Sequence, residues 1–181
     1  MKILTTVLAI PFLFLSVTAD AAPKFTNRVA YDVIDLETEV QTQRVSNRSG
    51  DPITVAKKYE GMHAHKDRAT LQSLMDIDPA RIAWCAGFVN AILDKVGIAG
   101  TDSLQARSFL NWGTVTKNPK EGDVVIFTRG RSREAGHVGF YVGEEVVDGV
   151  RYILVLGGNQ RKAVNVAYYP AKHVLGYRTI G

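Results

Sequence analysis

At Pro119 the apolar pattern of this chain changes period, and that change limits the folds open to it. Ahead of it, Phe88, Val89, Ile92, Leu93 and Val96 recur at helical spacing, and Gly97 supplies a stop. Behind it, segments 124–127, 137–142, 152–156, 163–167 and 174–179 are rich in Val, Ile, Phe and Tyr. Turn residues separate them: Asn118, Gly122, Gly130, Gly136, Gly157-Gly158, Pro170, and Asp148-Gly149 as a hairpin between the second and third strands. Helices first and strands afterwards predict an α+β domain, its helices packed on an antiparallel sheet of five to six strands. Segment 53–75 reads as mainly helical, with Val55, Tyr59, Leu71 and Leu74 facing the core. Asp78-Pro79 offers a cap and a first helical residue, so the next helix begins either at Pro79 or near Cys85. A shorter helix is expected after Ser103, running through Phe109 and Leu110 to Gly113.

The amino terminus carries an address. Lys2 precedes a mostly apolar stretch, 3–17, and Ala19-Asp20-Ala21 fits a signal-peptidase site. The stretch is short for a spanning helix, which needs about 20 residues, and no cysteine near the site offers a lipid anchor. Residues 1–21 are therefore expected to be a signal peptide directing export to the periplasm or beyond, with no membrane anchor after cleavage. Residues 22–52 are polar and close on Asn47, Ser49, Gly50, Asp51 and Pro52, which reads as a leader or tether. Residues 53–181 then form one domain. Removing 1–21 takes away one basic and one acidic residue, so the net charge stays at +4. That charge suits an anionic partner such as a wall polymer, and equally suits ordinary solubility.

The chain has one cysteine, which excludes an internal disulfide. A lone thiol in an oxidising compartment is a hazard unless buried or at work. Cys85 lies in Trp84-Cys85-Ala86-Gly87-Phe88-Val89, on the helical face of the core stripe. It reads as a small buried hydrophobe, or as a nucleophile at a helix start, where the dipole favours thiolate. His137, in Gly136-His137-Val138-Gly139, stands where a glycine-bounded loop enters a strand, a place that suits a general base facing a cleft. Gly136 and Gly139 would there let substrate backbone approach. Asn159, in Gly157-Gly158-Asn159-Gln160, follows the strand that the hairpin pairs with the His137 strand. It is the first candidate to orient the imidazole, with Gln160 its rival; an Asn after two glycines is also a common turn residue.

Taken in chain order, Cys on a helix, His opening a strand and Asn closing its partner resemble the papain-like clan, and more narrowly the CHAP superfamily of cysteine- and histidine-dependent amidohydrolases and peptidases. The resemblance covers roughly residues 80–180. It is carried by Trp84-Cys85, by Pro119-Lys120-Glu121-Gly122-Asp123 entering a strand, by Gly136-His137-Val138-Gly139-Phe140 and by Gly157-Gly158-Asn159-Gln160. It implies a papain-like fold and hydrolysis of amide bonds in peptidoglycan or muropeptides through a Cys85–His137–Asn159 triad, without cofactor or metal. It also implies a resting thiolate–imidazolium pair and a thioester intermediate. A papain-like enzyme usually places a polar side chain before the cysteine; here Ile82, Ala83 and Trp84 offer only the indole.

Around that triad, Trp84, Arg133, Gln160 and Arg161 are the candidate substrate contacts. Arg129, Arg131 and Lys162 add to a basic rim that suits the carboxylates of stem peptides. Nucleic acid is not expected, since no aromatic stacking pattern interleaves with the cations. His63-Ala64-His65 lacks a third metal ligand. Trp112 reads as core, with a glycan groove as its other use. A fold does not fix a function, so two rivals stand: a non-catalytic wall-binding or inhibitory protein, and a secreted effector toxin with the same chemistry.

Overall fold

The computed structural model describes residues 50–180; the expected signal peptide, 1–21, and nearly all of the expected leader, 22–52, lie outside them. The helices are α1 (Pro52–Lys57), α2 (Arg68–Met75) and α3 (Cys85–Lys95), followed by a 3₁₀ turn (Ala106–Asn111). The strands are β1 (Thr114–Thr116), β2 (Val124–Thr128), β3 (Gly136–Val147), β4 (Val150–Gln160), β5 (Ala163–Pro170) and β6 (Val174–Thr179). They form one antiparallel sheet in the order β1-β6-β2-β3-β4-β5. The α+β expectation and its five predicted strands are all present, and β1 is the sixth.

α3 buries Cys85, Phe88, Val89, Ile92 and Leu93 against β3 and β4. Each side chain of that size contributes about 1.5–3 kcal/mol when fully buried. Gly97, at φ 73°, ends the helix, and the Ile98 and Gly97 N–H groups return to Leu93 and Asp94 carbonyls. The opposite face of the sheet carries a smaller apolar set: Val125, Phe127, Ile153 and Val155, with Tyr141, Tyr169 and Tyr177 packed on it.

Three local expectations change. Segment 53–75 is not one helical run: the chain turns after Lys57, and His63 forms a bridge with Ala163 before α2 begins. The Gly61 and Ala64 N–H groups bond to Val164 and Lys162 carbonyls, so this turn serves as a short extra margin of the sheet. Asp78-Pro79 caps nothing; the Asp78 carboxylate instead ties Arg68 of α2 to the Ala80 N–H, and α3 begins at Cys85. The cap-and-proline role belongs to Asp51-Pro52 at the start of α1, where Asp51 accepts from Thr54 N–H at 3.3 Å. The expected helix after Ser103 is the 3₁₀ turn. Among the described residues no helix is long and apolar enough to cross a membrane.

Candidate active site

The sheet divides where the site lies. β2 and β3 stay paired to Thr128 and Gly136, and β4 and β5 to Gln160 and Ala163. The β3–β4 ladder, however, ends at Phe140 and Leu156. The first turn of α3 packs against both strands here. Two glycines let the layers meet: a Cβ on Gly158 would stand 2.6 Å from both Phe88 and the Trp84 ring, and one on Gly139 would stand 2.5 Å from Val155. These close approaches are between elements of the fold, so Gly139 serves packing rather than substrate access. Gly136 likewise faces the Phe127 carbonyl, Arg107 and Ala106.

Cys85 is the first residue of α3, and its sulfur lies at the N–H groups of Val138 and Ala86. Val138 follows His137 directly, so helix start and strand start converge at the thiol. Burial pushes the Cys85 thiol up, and the Val138 and Ala86 N–H groups, Arg129 and the residue's own N–H pull it partly back. Burial drives the His137 imidazole down to about 4, against a raising hydrogen bond from Gln160, with Arg129 lowering it further. Cys85 is 4% exposed and His137 2%. Burial thus opposes both charged forms and works against the thiolate–imidazolium pair that the resemblance implied. β3 is an interior strand, and His137 near its start is buried rather than facing an open cleft.

The third residue also changes. His137 Nε2 lies 3.0 Å from Gln160 Oε1, so Gln160, not Asn159, meets the imidazole. The Gln160 Nε2 group donates to the Val155 carbonyl at 3.2 Å and to the Asn165 carbonyl, which turns Oε1 toward the ring. An acceptor there requires the imidazole proton on Nε2 and leaves the lone pair on Nδ1. Nδ1 is buried with no hydrogen-bond partner. Simple alternation failed at this point because the β4–β5 register shifts between Gly157 and Gln160, with Asn159 at φ 58°. Asn159 is half-buried and takes no part in the imidazole bond.

Aromatic packing completes the site. The Tyr169 ring stacks on His137 at 4.9 Å and 21° and on Phe127 at 4.8 Å and 30°. Burial first, with Arg129 opposing and Cys85 adding, raises the Tyr169 phenol to about 12. Tyr169 lies four residues from Asn165 on β5, on the same face of the strand.

The expected substrate contacts scatter. Trp84 is fully buried, its Nε1 without a partner, so it is core and not groove. Gln160 is buried behind the imidazole. Arg129, Arg131, Arg133 and Arg161 are exposed, and none forms an ion pair among the described residues. Arg161 borders a cavity of about 440 Å³ shared with Gln160, Asn165, Tyr168 and Tyr169. Trp112 is half-buried against Phe109, and its Nε1 donates to the Ala99 carbonyl. His63 and His65 have rings 5.6 Å apart, and no third ligand gathers with them among the described residues.

A thiol at a helix start, met by the N–H that follows a strand-borne histidine, and a side-chain acceptor on that histidine agree with the order of elements in the sequence resemblance. The model of one family, the CHAP domain, matches residues 77–159. This segment is a CHAP domain. The CHAP match spans Cys85, His137 and the Gly157-Gly158-Asn159 turn, and stops one residue short of Gln160. CHAP domains are generally hydrolases of peptidoglycan, acting as amidases or peptidases. No curated protein matches the chain.

Proposed function

We propose that this chain is an exported cysteine hydrolase that cuts amide bonds in peptidoglycan, with Cys85 as nucleophile, His137 as base and Gln160 as orienting residue. One observation carries the reading: the Gln160 bond to His137 Nε2 leaves a buried, unpartnered Nδ1 on the residue next to the N–H that meets the Cys85 sulfur. With burial opposing both charges, proton transfer accompanies attack. Nδ1 takes the thiol proton as sulfur adds to the amide carbonyl, and N–H groups of the first turn of α3 face the oxyanion. The imidazolium returns the proton to the leaving amine, and water then hydrolyses the thioester. A neutral carboxamide holds the ring without a full counter-charge, which agrees with the low imidazole value. Arg129, Arg133 and Arg161 supply the cationic surroundings for substrate carboxylates. Export rests on Lys2, the apolar stretch and Ala19-Asp20-Ala21.

The test digests purified sacculi with the wild type and with Cys85→Ala and identifies products by mass spectrometry. New amino termini released only by the wild type are expected, and they locate the scissile bond. Intact sacculi with both proteins would overturn the reading. The closed pair gives the second reading its one point of support: a wall-binding or inhibitory protein on the same fold. That reading predicts co-sedimentation with sacculi, unaffected by Cys85→Ala, and no released termini.

A further inference from the structure

The residue that orients His137 is itself held by a side chain one strand further out. Asn165 stands on β5 opposite Gly157, at the last regular pair before the β4 bulge. Its Oδ1 lies 3.0 Å from Gln160 Nε2, and its Nδ2 donates to the Gln160 main-chain carbonyl at 3.1 Å. A bulge leaves ladder groups without strand partners, and the Asn165 amide takes up one of them. Gln160 Nε2 therefore faces three oxygens: the Val155 carbonyl, the Asn165 carbonyl and Asn165 Oδ1. Rotating the Gln160 carboxamide by half a turn would set its own oxygen against all three. It would also present an N–H to His137 Nε2, which then has to accept. The imidazole proton would move to Nδ1, and the unpartnered nitrogen would lose its free lone pair.

We propose that Asn165 is a positioning residue: its side chain clasps Gln160 at Nε2 and at the main-chain carbonyl, adds to the two main-chain carbonyls that orient the carboxamide, and so helps fix which imidazole nitrogen is free to take a proton. Its consequence for turnover rests on the hydrolase reading; its consequence for the ring does not. Both partners of the lock lie at the β4–β5 turn, where Arg161 and Lys162 hold left-handed φ values of 55° and 64°. The side-chain clasp stabilises a bend that neither residue favours.

The test reads the ¹⁵N shifts of the His137 ring in the full chain at pH 7, without substrate. The wild type is expected to show the Nε2–H tautomer alone. Asn165→Ala should show a mixture with Nδ1–H, and Asn165→Leu serves the same purpose if the alanine variant does not fold. Asn165→Asp keeps an acceptor for Gln160 Nε2 and should restore Nε2–H. Where sacculi are digested, kcat should fall about tenfold in Asn165→Ala with KM unchanged, and not fall further when Asn165→Ala is added to Gln160→Ala. A pure Nε2–H ring in Asn165→Ala or Asn165→Leu overturns the proposal, as does an equal loss in the presence and absence of Gln160. An inert enzyme whose ring still shifts as described overturns the hydrolase reading alone.

Discussion

β4 ends in a two-residue turn on each side, and the two turns are made of opposite materials. At its start, Val147 and Val150 close over Asp148 and Gly149, with φ values of 50° and 73°. At its finish, Gln160 and Ala163 close over Arg161 and Lys162, with nearly the same positive φ pair. The first turn has residues that tolerate this geometry; the second does not, and Asn159 just before it is left-handed as well. The first turn is flanked by exposed valines at 146, 147 and 150, while the second holds Gln160 against the buried His137. Backbone strain is placed where the imidazole is positioned, and relaxed geometry where nothing is oriented.

That contrast can be broken from several sides. The largest effect is expected from pH, because only the Gln160 end carries a buried imidazole. His137 is lowered in the folded chain, so the unfolded chain binds its proton more readily. Stability is full above the ordinary histidine range and is lost as pH falls from about 6.5 to about 4, by on the order of 3 kcal/mol. Urea midpoints measured across that range should slope for the wild type and flatten for His137→Gln. A slope that survives the substitution assigns the acid sensitivity elsewhere.

Next in size, Gln160→Ala should lower the rate of sacculus digestion by about 10²-fold or more, since the ring loses its tautomer and its hold. Asn159→Ala should cost less than about tenfold, and the reverse order would return the orienting role to Asn159. Thiol chemistry offers a related check. Burial raises Cys85, so iodoacetamide alkylation of the resting protein should begin above the usual thiol range rather than below it. Rapid alkylation at pH 6 would restore the ion-pair description.

Smaller effects separate the two turns directly. Nothing stands within 4 Å of a Cβ on Gly149, so Gly149→Ala should destabilise through backbone conformation alone, by about 1 kcal/mol. Lys162→Gly should stabilise by a similar amount, about 1 kcal/mol, and raise Tm by a few degrees. Equal signs for these two changes would show that the second turn is not strained.

Much of this architecture was legible in the chain. Segments rich in Val, Ile, Phe and Tyr between turn residues located five of six strands, and the three-and-four spacing located α3, because β-branched and aromatic side chains suit strands and a helix buries one face. β1 escaped because Thr114–Thr116 is short and exposed, with no apolar alternation to betray it. The lone cysteine and the glycine-flanked histidine marked themselves as chemistry-bearing types in unusual settings.

The sequence by itself determined the core stripe of α3, five of the six strands and that Cys85 and His137 are the pair to watch. Only the tertiary structure decided that Gln160 rather than Asn159 holds the ring, that Tyr169 stacks on it and that burial opposes both charges. The reason is physical. A side chain's direction past a bulge depends on one residue of register, and a proton's location depends on how much water the surrounding strands exclude. Both are set by elements far apart in the chain, and no local pattern records them.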